Sequence, residues 1–123
     1  LGSGAGFPGI SLASRNPNAS VVLVESRAKR ATFLSNVVRE AQLNNVTVFH
    51  GRVEALPGGL DGVISRAFRP PPAYLADAKR LLVPGGVAVL LTGPPPPPFP
   101  GWQVQEMVEY RVKDGTRTRT SLV

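Results

Sequence analysis

Apolar and polar positions along this chain switch between two periods, and each switch marks an element. Ser20-Val21-Val22-Leu23-Val24 is an unbroken, mostly β-branched run, which predicts a strand buried on both faces and ending at Glu25. Phe33, Leu34, Val37, Val38 and Ala41 then recur at helical spacing, while Lys29, Asn36, Arg39 and Glu40 fall mostly on the opposite face. That spacing predicts a helix capped by Ser26 and running to about Leu43. Asn44-Asn45 breaks it, and Val46 to Phe49 reads as the next strand. After a Pro57-Gly58-Gly59 turn, Leu60 to Ser65 is strand-like and Tyr74 to Leu82 helical, with Pro84-Gly85-Gly86 as its stop. Val87 to Leu91 is expected to be a strand buried throughout. Upstream, Gly9 to Ser14 reads as a short helix, and Leu1 as the last residue of a first strand that is largely missing. Strands alternating with helices predict an α/β fold with a mostly parallel sheet.

The pattern changes after Gly93. Pro94 to Pro98 is an unbroken proline run, followed by Pro100, so 94–100 is expected to be a proline-rich loop, polyproline II or irregular. As a ligand for proline-recognising modules it would need flanking specificity. Beyond it, Val104 to Val112 and Arg117 to Val123 bracket Asp114-Gly115, a hairpin signal that predicts a C-terminal antiparallel pair. With no internal repeat, residues 1–123 are expected to form one domain.

Composition narrows the class. Apolar residues make up 42% of the chain, enough for a packed core, and no run approaches the ~20 apolar residues needed to span a bilayer. No signal peptide is recognisable, so a cytoplasmic protein without a membrane partner is expected. The absence of cysteine excludes disulfides and thiolate metal ligands, and no metal site is expected. Fourteen Lys and Arg against eight Asp and Glu leave a formal charge of +6. That surplus suits a polyanionic partner such as nucleic acid, although a soluble basic domain without one carries the same charge.

Gly2, Gly4 and Gly6 form a G-x-G-x-G loop leading into the first helix. Closely spaced glycines let backbone approach a ligand and aim helix N-terminal amides at it. Dinucleotide sites need G-x-G-x-x-G, and Phe7 stands where the third glycine would be, which disfavours NAD and favours the methyltransferase variant. Glu25, at the carboxyl end of its strand, is placed to accept hydrogen bonds from both ribose hydroxyls of an adenosyl cofactor. A surface Glu beside a helix start would read the same. Val53-Glu54 holds the equivalent place after the next strand, suited to an adenine contact or to an ordinary acidic first turn.

Four segments in one order make the pattern specific. Leu1-Gly2-Ser3-Gly4-Ala5-Gly6-Phe7-Pro8-Gly9-Ile10 comes first, then Leu23-Val24-Glu25-Ser26 with Lys29-Arg30 and Phe33-Leu34. Arg52-Val53-Glu54 and Asp61-Gly62-Val63-Ile64-Ser65-Arg66-Ala67-Phe68 follow. Together they resemble the bacterial ribosomal RNA small-subunit methyltransferase G family, also called glucose-inhibited division protein B, from Leu1 to about Gly93. The Phe-Pro-Gly after the loop and the Ser-Arg-Ala after the fourth strand discriminate most.

The resemblance implies a Rossmann-like class I methyltransferase fold that uses S-adenosyl-L-methionine. It also implies an activity: methyl transfer to N7 of a guanine in 16S ribosomal RNA, naked or in the small ribosomal subunit; a monomer is expected. By position, the cofactor contacts would be Gly2, Phe7, Val53, Glu54 and Arg66; the fold logic adds Gly4, Gly6 and Glu25. Arg66 would hold the cofactor's carboxylate or hydrogen-bond guanine O6. Guanine N7 has no proton to lose, so no general base is expected and His50 need not be catalytic. Arg69, Lys79, Arg80, Arg111, Lys113, Arg117 and Arg119 would supply RNA phosphate contacts, and Phe68 or Tyr74 could stack a base unless packed in the core.

The resemblance is incomplete at both ends. Family members carry a helical segment and a first strand before the loop, so a chain starting at Leu1 is expected to be part of a longer one and marginal alone. Thr92-Gly93 stands where the family has Lys-Gly, and the final hairpin matches loosely. A methyltransferase for another RNA or a small molecule, and a non-catalytic RNA-binding remnant, are the rival readings.

Overall fold

The computed structural model describes residues 1–66, 68–92, 99–112 and 115–122, with side chains described up to 91 and over 99–108. They form two compact units, 1–56 and 57–123.

The first unit runs α1 (Gly9–Arg15), β1 (Val21–Glu25), α2 (Ala28–Glu40), β2 (Val46–His50) and a 3-10 turn (Val53–Ala55). β1 and β2 pair in parallel, Val21 opposite Val46 through to Glu25 opposite His50. Leu23, Val24 and Glu25 are successive and all buried, which in a strand means that both faces are covered. Burial on both faces is confined to that carboxyl half, because Val22 is exposed.

Helix α2 departs from its expected limits at both ends. Its N-cap is Arg27, not Ser26, and no side chain caps it. It stops at Glu40 because Gln42 adopts φ +53° and turns the chain, letting the Leu43 amide reach back to the Val38 carbonyl at 3.0 Å. The expected apolar face is corrected too. Ala31 and Leu34 are the buried positions and Phe33 is exposed, since successive helical residues are rotated about 100° apart and cannot both face the sheet.

The side chain of Asn45 staples this unit. Asn45 Nδ2 donates to the carbonyls of Ala13, Asn16 and Ala19 at 3.0, 3.1 and 2.9 Å. It thereby joins the end of α1 and the approach to β1 to the start of β2, where sequence showed only a chain break.

The second unit contains β3 (Leu60–Arg66), α3 (Pro71–Leu81), β4 (Leu82–Thr92), β5 (Val104–Val112) and β6 (Gly115–Leu122), with sheet order β3-β4-β6-β5. β3 and β4 are parallel; β6 runs antiparallel to both β4 and β5. The C-terminal hairpin expected from sequence is therefore present, with its second strand starting at Gly115, opposite Val112, rather than at Arg117.

Three boundaries differ here. α3 begins at Pro71, since prolines are welcome in a first turn where their missing N–H has no helical partner. Pro84-Gly85-Gly86 does not end the helix; Leu82, already extended, does. The three residues lie instead in an irregularity of β4, between the pairings Leu60–Leu82 and Gly62–Val87. Nor is Val87 to Leu91 buried throughout. Ala88 and Leu90 are buried and Val87, Val89 and Leu91 only half-buried, the alternation of a strand with one well-covered face.

Tyr74 ties α3 to this pair of strands. It is fully buried, and its hydroxyl lies 3.0 Å from the Val63 carbonyl and 2.9 Å from that of Val89. Among the described residues no helix is long and apolar enough to cross a membrane. Residues 94–98 of the proline run, and Lys113, lie outside the described residues.

Candidate functional site

The glycine loop docks on the carboxyl end of β1. The Ser3 amide donates to the Val24 carbonyl at 3.0 Å, and the Gly6 amide closes the loop on the Ser3 carbonyl at 2.7 Å. Gly2, Gly4 and Gly6 have φ of +61°, +51° and +99°, in the left-handed region that side chains disfavour. Their surroundings differ. A Cβ on Gly6 would run into Ile10 and come within 3.2 Å of Leu34, whereas one on Gly4 would meet nothing within 4 Å. Gly6 is thus needed for packing, and Gly4 leaves open space above the backbone. Phe7 follows at 52% exposure.

Glu25 sits beside that space. Its side chain is buried at 5% exposure, and among the described residues its carboxylate accepts one hydrogen bond, from the Gly4 amide to Oε2 at 3.4 Å. A carboxylate offers about four acceptor positions on two oxygens, and a buried polar atom ordinarily has at least one partner. One long bond leaves Glu25 with most of its capacity unused in a buried place, which fits a ligand bringing two hydroxyl donors.

β2 supplies the other wall. Its last residue pairs with Glu25, and the Gly51 amide donates to the Glu25 carbonyl at 3.0 Å. Val53 is buried and Glu54 exposed, in the 3-10 turn that begins two residues later. The structure therefore brings Gly2, Gly4, Gly6, Glu25 and the Val53-Glu54 turn to one edge of the first unit. The burial of Glu25 separates it from an ordinary surface acid, a distinction that spacing alone could not make.

The remaining candidates belong to the second unit. Arg66 is exposed at the end of β3, directly after buried Ser65. Arg69 is ion-paired to Asp77 at 2.8 Å and lies 4.9 Å over the Phe68 ring. Lys79 and Arg80 are exposed in the last turn of α3, where cations complement the helix dipole. Tyr74 is a core residue and presents no face for stacking a base. Arg111, Arg117 and Arg119 lie on β5 and β6, their side chains outside the described set. His50 is exposed.

The sequence profile of the rRNA small subunit methyltransferase G family matches residues 1–96. The chain belongs to that family. It is 41% identical over 93 residues to the ribosomal RNA small subunit methyltransferase G of Acidothermus cellulolyticus, covering 76% of this chain and 42% of that protein. To the protein of the same name from Stenotrophomonas maltophilia it is 39% identical over 119 residues, covering 91% of this chain and 56% of the relative. The chain thus spans about half the length of these curated relatives.

Solved structures agree on the fold. Aeropyrum pernix fibrillarin, determined with natively bound S-adenosyl-L-methionine, superposes with a TM-score of 0.77 at 18% identity over 100% of this chain and 64% of its own. A SAM-dependent methyltransferase from Aquifex aeolicus gives 0.74 at 18% identity over 99% and 79%. The architecture is that of a Rossmann-like class I methyltransferase.

Proposed function

We propose that this chain binds S-adenosyl-L-methionine through its first unit, as part of a cytoplasmic methyltransferase acting on N7 of a guanine in 16S ribosomal RNA. The observation that carries the reading is Glu25: a buried carboxylate with one long hydrogen bond, beside a loop whose Gly4 leaves open space. Two vicinal ribose hydroxyls are the donors such a carboxylate would take. The family and its fold neighbours support the same choice.

When bound, the cofactor supplies a methyl group already activated on a sulfonium. The chain's own work is to bind and align. Gly2, Gly4 and Gly6 let backbone approach the ligand, Glu25 holds the ribose, and Val53 and Glu54 border the adenine. Phe7 would cover the loop from its exposed position. Arg66 is assigned to the cofactor carboxylate or to guanine O6, where negative charge gathers. Guanine N7 attacks with a lone pair in the ring plane and gives up no proton, so no residue need act as a base. Alignment by itself can supply several kcal/mol of a bimolecular barrier.

Calorimetric titration with S-adenosyl-L-methionine tests this directly. Saturable binding that Glu25→Gln weakens is expected, and absence of binding would sink the reading. Methyl transfer to small-subunit RNA, with the modified base mapped, tests the substrate: a methyl found anywhere but guanine N7 refutes that part.

A further inference from the structure

Helix α2 starts against the electrostatics of its own backbone. A helix N-terminus carries a partial positive charge, so it favours acidic residues and is opposed by cations. Here Arg27 is the N-cap, Lys29 and Arg30 lie in the first turn, the first turn holds no acid, and no side chain caps the end. All three are exposed, and among the described residues none is ion-paired. Arg52 adds a fourth exposed cation at the same edge, also without an ion pair among the described residues, since the Glu25–His50 pairing and the Gly51–Glu25 bond bring the chain after β2 beside the chain after β1.

Phe33 gives this patch a second character. It follows Lys29 by four residues and Arg30 by three, the spacings that place side chains on neighbouring positions of a helix face. It is 51% exposed, although the buried side of α2, at Ala31 and Leu34, lies close by. Cations that repel each other and oppose the helix dipole, two of them beside an exposed aromatic, break local rules. The combination suits a ligand with several phosphates and a flat ring.

We propose that Arg27, Lys29, Arg30 and Arg52 form a phosphate-binding patch for single-stranded RNA, with Phe33 as a platform on which one base stacks. The patch begins two residues from Glu25, so RNA held there would lie at the rim of the nucleotide pocket. This deepens the function proposed above and rests on it in taking the polyanion to be RNA. An anionic membrane is the weaker match, because the large apolar side chains of α2 other than Phe33 are buried (Leu34) or half-buried (Val37, Val38).

The test is fluorescence anisotropy of labelled polyuridylate across a salt series, on the unchanged protein, on Arg27→Gln/Lys29→Gln/Arg30→Gln, and on Phe33→Ala. For single strands each lost phosphate contact lowers the slope of log K against log salt by about 0.7. The triple variant should therefore lose roughly two units of slope and on the order of 100-fold in affinity at low salt. Phe33→Ala should lose about tenfold with the slope kept. Melting temperature should hold or rise in the triple variant, because cations leave a helix N-terminus; a purely structural role would lower it. Unchanged affinity and slope in the triple variant overturn the proposal, as does tighter binding to phosphatidylserine vesicles than to polyuridylate. A parallel titration with S-adenosyl-L-methionine separates the two readings: the triple variant should bind it as the unchanged protein does. If neither form binds it while RNA binding still depends on the patch, the methyl-donor reading fails and the patch stands.

Discussion

The backbone amide of Gly4 donates to Oε2 of Glu25 across 3.4 Å, at the outer limit of hydrogen bonding. The bond fixes the glycine loop to the end of β1 while leaving the buried carboxylate free to accept more. A shorter, fully paired Glu25 would stabilise the loop and have nothing left for a ligand.

Glu25→Gln should weaken S-adenosyl-L-methionine binding about 10- to 100-fold, the worth of hydrogen bonds to a charged acceptor. The amide can still accept from Gly4, so circular dichroism should be unchanged. Isothermal titration calorimetry reads the difference, and equal affinities would refute the ribose role.

Gly4→Ala and Gly6→Ala separate ligand space from packing. Both force a side chain into the left-handed region, costing about 1–2 kcal/mol. Only Gly6→Ala adds the collision with Ile10 and Leu34, for about 1–3 kcal/mol more. Urea midpoints should rank Gly6→Ala well below Gly4→Ala, and similar midpoints would contradict the geometry.

Asn45→Ala removes the donor shared by three carbonyls. About 1–3 kcal/mol should be lost, and amide exchange should quicken from Ala13 to Val21. Protection unchanged in that stretch would show that the staple contributes nothing.

Burial holds the Tyr74 phenol above its ordinary value near 10. Since the folded state favours the protonated form, this contribution to stability is complete below pH ~10 and is lost as pH climbs toward the folded-state value. Of the two tyrosines, Tyr74 and Tyr110, Tyr74 should resist ionisation until the chain unfolds. An ultraviolet absorbance titration showing Tyr74 ionising near pH 10 in folded protein would count against it.

Arg66→Ala should slow methyl transfer on the order of 10- to 100-fold, because misplacing a reacting group by about 1 Å costs as much. His50→Ala should leave the rate within about twofold, since N7 methylation needs no base. Equal losses in a methyl-transfer assay would refute the roles assigned to both.

The sequence by itself determined the order and type of the elements up to the hairpin and the family. β-branched runs, helical spacing and glycine clusters are local signals, written in neighbouring residues. It also located the loop and the acid that ends β1, because each is tied to an element's end. Burial is not a local property, and there tertiary structure decided. Phe33 and Leu34 look equally apolar in sequence, yet only one of two adjacent helical residues can face the sheet. Pro84-Gly85-Gly86 carries the same turn chemistry whether it stops a helix or bulges a strand, and its place beside β3 chose the bulge. Glu25 became more than a surface acid only when strand pairing and the returning glycine loop enclosed it, since desolvation depends on everything packed around a group and not on its neighbours in the chain.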